Sequence, residues 1–127
     1  MIVTSFYAAI FALIFVFLTV RVIKLRRLNH VAIGDNGIVI LQRAIRAHGN
    51  FCESVPLALI LLLLAESNAA NILWLNFCAI ILIIGRISHA YAISCESSKM
   101  IFRIAGMALT FTSIIFLALT NLILSIF

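Results

Sequence analysis

The chain has 127 residues, 65% of them hydrophobic and only 10% charged, with a mean hydropathy of +1.27. A water-soluble domain of this size has too little interior to hide that much apolar surface, so the composition excludes the soluble classes and indicates an integral membrane protein. The formal net charge of +5, nine Lys and Arg against four Asp and Glu, is then a matter of membrane topology, and no nucleic-acid partner is expected.

The first expected element is a helix over residues 2–23. No basic residue precedes its apolar run, and the run is about as long as the roughly 20 residues a spanning helix needs. It is therefore expected to be a retained first helix and not a cleaved signal. The connection over residues 24–37 contains IGDNG, a turn signal at Ile33 to Gly37. A second helix is expected over 38–66. Its roughly 29 residues at about 1.5 Å each reach about 43 Å, well beyond a hydrocarbon core of about 30 Å. Its polar opening turns must then project from the membrane or line a cavity among helices. ESNAAN (66–71) makes the next turn, followed by a third helix over 71–93. SCESSK (94–99) makes the last turn, followed by a fourth helix over 101–126. Thr110, Thr112, Ser113, Thr120 and Asn121 are suited to interhelical hydrogen bonds, and Ala105 and Gly106 to close helix approach. The expectation is an all-α, four-helix membrane bundle forming one domain over residues 1–127. The three cysteines, Cys52, Cys78 and Cys95, do not suggest a disulfide framework and read as small buried apolar groups.

All nine Lys and Arg flank two connections. Arg21, Lys24, Arg26, Arg27, Arg43 and Arg46 surround the first; Arg86, Lys99 and Arg103 surround the third. Lys and Arg mark the cytoplasmic side. Those two connections are thus expected in the cytoplasm, with both termini on the opposite side and an even number of spans.

The chemistry concentrates in RAIRAHGNFCESVP, Arg43 to Pro56. At about 100° per residue, with Arg43 at zero, Arg46 falls near 300°, Asn50 near 340° and Glu53 near 280°. These residues share one helix face with Gln42 at its edge, while His48 falls on the opposite side. A carboxylate as deep as Glu53 needs a partner, from its own helix or from Arg86 or Arg103. Two readings fit the stripe. It either pairs and caps the rim of the bundle, or it lines a polar pocket in which arginines hold carboxylates and Glu53 holds an ammonium group.

The stretch resembles the signature of the MAPEG family, the small four-helix membrane proteins that include microsomal glutathione transferases and leukotriene-forming synthases. The pattern R-A-x-x-N-x-x-E-x-x-P is met by Arg46, Ala47, Asn50, Glu53 and Pro56, and the wider form R-A-H-x-N adds His48. GRISHAY, Gly85 to Tyr91, is similar to the family's R-I-x-H segment through Arg86, Ile87 and His89, and Arg103 stands where the family often has another arginine. The likeness covers essentially the whole chain. It implies a homotrimer with glutathione as co-substrate in a pocket between subunits near the cytoplasmic side. By carry-over Arg46, Asn50 and Glu53 contact glutathione, Arg43 and His48 assist, Arg86 and Arg103 are further pocket residues, and Arg26 or Arg27 closes the mouth. Arg103, Arg86 and Tyr91 are the candidates for a catalytic role. The implied reaction is conjugation of the glutathione thiolate to a lipophilic electrophile arriving from the lipid, with hydroperoxide reduction as a related chemistry. The implied partners are a second and third copy of the chain, membrane lipids and lipophilic small molecules.

The chain departs from that pattern at one place. Catalytic relatives carry tyrosines at the end of the third helix, and seven residues on from Arg86 the corresponding position holds Ile93; Tyr91 lies about 140° away from Arg86. A non-catalytic scaffold or lipid-binding homologue is the alternative reading. His48 and Cys52 make half a metal-ligand pair with no second pair to complete it, so no metal site is expected. A small multidrug exporter would resemble others of its kind through an acidic residue in the first helix, and Ile2 to Val20 has none. Minimal loops and no organelle signal point to a bacterial inner membrane.

Overall fold

The computed structural model describes residues 1–95 and 100–126. They form four helices: α1 (Ile2–Leu28), α2 (Val39–Ser67), α3 (Ile72–Ser94) and α4 (Met100–Ile126). Each is long and apolar enough to cross a membrane. There is no strand among the described residues. The sequence expectation for the part of the last turn that runs from Glu96 to Lys99 lies outside the described residues.

The helices run up and down, so α1's C-terminus, α2's N-terminus, α3's C-terminus and α4's N-terminus share one end. Along α2, Phe51, Val55, Ala58, Leu62 and Ala65 recur at spacings of 4 and 3, one stripe facing inward. They pack against Val3, Tyr7, Phe11 and Leu18 of α1, Leu75, Cys78, Ala79 and Leu82 of α3, and Leu117 of α4. The outward faces are also apolar: Leu13, Phe17, Leu73 and Ile115 are all more than half exposed. A chain that is oily on both its inner and outer faces suits lipid as its solvent.

Polar side chains inside the bundle bond to other helices. Ser113 Oγ donates to the Cys78 carbonyl at 2.8 Å, Asn121 Nδ2 to the Leu61 carbonyl at 2.8 Å, and Trp74 Nε1 to Thr120 Oγ1 at 2.9 Å. Tyr7 donates to Asn76 Oδ1 at 2.9 Å, joining α1 to α3. Thr110 joins the site described below. Thr112, expected to act alike, makes no such bond among the described residues.

At two glycines the backbones of α3 and α4 come close together. A Cβ added at Gly85 would lie 2.9 Å from the Gly106 carbonyl oxygen, and one added at Gly106 would lie 2.8 Å from the Gly85 carbonyl oxygen. Only a residue without Cβ fits at either point. Ala105, expected to share that contact, is exposed instead.

The connections follow their turn chemistry. Gly34 and Gly37 take positive φ (75° and 74°), and Asp35 Oδ1 accepts from the Gly37 amide at 2.8 Å. Between α2 and α3, Ala69 takes φ 58° while its amide and that of Ala70 bond back to Glu66 and Ala65, ending α2 in a Schellman-type turn. Asn71 then caps α3 by accepting from the Leu73 and Trp74 amides at 2.8 and 3.2 Å. At this same end Glu66 accepts from the Val3 and Thr4 amides at 2.9 and 2.8 Å, so a side chain at the end of α2 caps the start of α1.

Candidate functional site

At the end of the bundle opposite Glu66, the first turns of α2 diverge from the last turns of α3 and the first of α4. The gap is a cleft of about 380 Å³ lined by Val39, Gln42, Arg43, Arg46 and Asn50 from α2, His89, Ala92 and Ile93 from α3, Cys95, and Met100 and Arg103 from α4. Arg43, Arg46 and Asn50 enter on one side because their spacing of 3 and 4 keeps them on one helix face. Arg103 enters from the other side, since α4 begins only three residues earlier. Three guanidinium groups therefore border one small space, and no described lining residue carries a carboxylate. Such a site attracts an anion, and arginine's planar fork fits carboxylates in particular.

Behind the cleft wall Arg86 is bonded to Asn50, which lines the cleft. It is 2% exposed and joins three helices. Its Nη1 donates to Asn50 Oδ1 at 2.5 Å, to the Asn50 carbonyl at 3.3 Å and to Ser54 Oγ at 3.0 Å. Its Nε donates to Thr110 Oγ1 at 2.9 Å, and Thr110 donates in turn to the Gly106 carbonyl at 2.8 Å. Nη2 lies 3.6 Å from Met107 Sδ. Because the Asn50 amide spends its oxygen on Arg86, its NH₂ remains as the donor side. Asn50 thereby joins the arginines as a donor-only neighbour of the cleft.

The residues expected in the site thus divide. Arg43, Arg46, Asn50 and Arg103 line the cleft, and Arg86 backs it. Ile93, where the resemblance predicts a tyrosine, also lines it, as does His89, which is 5% exposed. Glu53 is not brought in. It lies on the right angular face, but the cleft lining on α2 ends at Asn50, about one turn short of it. Its side chain is exposed on the outside of the single chain, and it forms no ion pair with Arg86 or Arg103. His48 faces α1, with Nε2 3.0 Å from Thr19 Oγ1, its ring 5.2 Å from that of Phe15 and Cys52 Sγ 3.7 Å away. Tyr91 points to a different, apolar groove between α1 and α3. Arg26 is occupied with its own connection, donating to the Gly34 and Ala32 carbonyls at 2.8 and 3.3 Å.

Ser54, Thr110 and Met107 were not singled out as site residues from the sequence. A signal for Ser54 was present: it is four residues from Asn50, so both face the same neighbour. Thr110 stood in the sequence as an interhelical donor without a partner, and only the packing of Gly106 on Gly85 brings it to Arg86.

The sequence of the chain has relatives among known proteins. The chain is 36% identical over 120 residues to the inner membrane protein YecN of Escherichia coli strain K12, covering 94% of this chain and 90% of the relative, and equally to YecN of E. coli O6:H1. No solved structure matches it. The family model of the MAPEG family matches residues 4–123, which include α2 and α3 whole, nearly all of α1 and α4, and every residue of the cleft. On the strength of that match and of the relatives, this chain belongs to the MAPEG family.

Proposed function

We propose that the protein binds glutathione in the cleft between α2, α3 and α4 and presents its thiolate to lipophilic electrophiles. The observation that carries this reading is the convergence of Arg43, Arg46 and Arg103 on one open space with no described carboxylate in its wall. Glutathione brings two carboxylates, which match the arginines, and a thiol that is mostly protonated at neutral pH, with a pKa of about 8.5. A neighbouring guanidinium stabilises the thiolate. The thiolate sulfur then forms a C–S bond to the electrophile, and either a leaving group departs or a proton from solvent completes an addition. Arg103, which lines the cleft, is the candidate to stabilise the thiolate, and Arg86 acts as a positioning residue through Asn50.

A homotrimer belongs to this proposal. Glu53 supports it, because a carboxylate about 21 Å along a helix with an apolar outer face is costly against lipid and is relieved by a neighbouring subunit or by the ammonium of a ligand held between subunits. The name of the E. coli relative supports an inner-membrane location. The gathering of Arg21, Lys24, Arg26, Arg27, Arg43, Arg46 and Arg103 at one end supports a cleft facing the cytoplasm, with both termini opposite.

Ile93 favours a second reading, a glutathione-binding homologue that does not catalyse. It fills the tyrosine position in the cleft wall without supplying a hydroxyl.

Calorimetric titration of the detergent-purified oligomer with glutathione tests binding. Saturable heat is expected, lost in Arg46→Ala with the oligomer's mass unchanged. No heat from the intact wild-type oligomer would overturn the proposal. Binding without conjugation across a panel of lipophilic electrophiles would select the second reading.

A further inference from the structure

A second cavity lies outside the cleft and shares only the Cys95 wall with it. It is a groove of about 570 Å³ between α1 and α3, lined mainly by apolar side chains such as Leu13, Phe17, Ile87 and Ala90. It runs from Leu13 to Arg21, about 12 Å along α1, against about 15 Å for one leaflet of the hydrocarbon core. Arg21 stands at its cation-rich end and donates to Ser94 Oγ of α3. That bond spends one of the five N–H donors of a guanidinium on a neutral hydroxyl, and no described carboxylate pairs with Arg21. Leu13 and Phe17 are among the most exposed large apolar side chains of α1, at 73% and 68%, so the groove opens sideways along the face that meets lipid.

We propose that this groove binds one acyl chain of an anionic phospholipid, whose phosphate is held by Arg21 and Ser94. The match is one of shape and charge together. The apolar trough is the length of the headgroup-proximal part of a chain, and the single cation sits at the end where the headgroup of a lipid in that leaflet lies. Guanidinium binds phosphate through paired N–H bonds, and the Ser94 hydroxyl adds a donor. A zwitterionic lipid fills the same trough but neutralises its own phosphate, so it binds less tightly. The site makes no use of the arginines of the cleft and stands whether or not glutathione binds there.

The test is native mass spectrometry of the full-length oligomer in detergent, titrated with phosphatidylglycerol or phosphatidylcholine. Phosphatidylglycerol is expected to bind about fivefold more tightly, the factor one interfacial cation supplies. Arg21→Gln should remove that preference, and Lys24→Gln, about one turn further on, should keep it. Ala90→Phe fills the trough and should weaken both lipids with the preference intact. Arg21→Lys, which keeps the charge, should retain the preference and serves if Arg21→Gln does not fold. Equal losses in Arg21→Gln and Lys24→Gln would reduce the effect to general surface charge and overturn the proposal. So would unchanged lipid binding in Ala90→Phe, a loss of oligomer mass in that variant (the groove then belonging to a second copy), or displacement of the lipid by millimolar inorganic phosphate.

Discussion

At Arg86 a positive charge sits 2% exposed among amide, hydroxyl and carbonyl oxygens and a thioether, with no carboxylate bonded to it. Its desolvation is offset only by neutral acceptors, and Asn50 supplies the shortest bond, at 2.5 Å. Two substitutions at Asn50 should therefore diverge. Asn50→Ala removes that acceptor and should cost about 3 kcal/mol in unfolding free energy, read by reversible denaturation in mixed micelles. Asn50→Asp gives Arg86 a counter-charge and should leave the fold at least as stable. It also places a carboxylate beside the cleft, and glutathione affinity should fall about tenfold or more by calorimetry, through like-charge repulsion. Much of this site was legible in the sequence. The 3 and 4 spacing assigned Arg43, Arg46 and Asn50 to one face and turned His48 away from it, and the structure agrees. Angle alone could not supply depth. Glu53 shares the face but lies about one turn beyond Asn50, where the cleft ends on α2, and the bond that holds Asn50 comes from Arg86 of α3, which periodicity along α2 does not encode.

The contact between α3 and α4 depends on two missing side chains. With Gly85 and Gly106 each within 3 Å of backbone atoms wherever a Cβ is built, Gly106→Ala must push the helices apart. It should lower unfolding free energy by about 1–3 kcal/mol and, by moving Thr110 away from Arg86, weaken glutathione binding as well. Gly49 on α2 is the control: a Cβ there meets nothing within 4 Å. Gly49→Ala should be neutral or stabilise by about 0.5–1 kcal/mol, since alanine is the better helix former. Both are measured by the same micellar denaturation. Element existence was plain from hydrophobic runs, whereas element ends were less so. Helix α1 continues to Leu28, five residues past the apolar run, because Lys24, Arg26 and Arg27 sustain a helix as well as leucine does.

The whole molecule has two unlike ends. One gathers the cations, with Arg43, Arg46 and Arg103 lining the cleft; the other is short, tightly turned and joined by Glu66. This asymmetry predicts the direction of insertion. Alkaline phosphatase fused after Phe127 should be active in a bacterial host and a green fluorescent protein fused there dark, whereas the reverse would put the cleft outside the cytoplasm. The bundle's class and cationic end were legible from composition and charge placement. The way its neutral end is held was not, because the pairing of Glu66 with Val3 and Thr4 spans 63 and 62 residues. That span sets an order in time. At roughly 5–20 residues per second, the ribosome needs roughly 3–13 seconds after making those two amides to reach the carboxylate that caps them. During synthesis α1 therefore has to wait, loosely seated, until α2 has been threaded back across the bilayer. Its final position is a late event in biogenesis, although it is the first helix made.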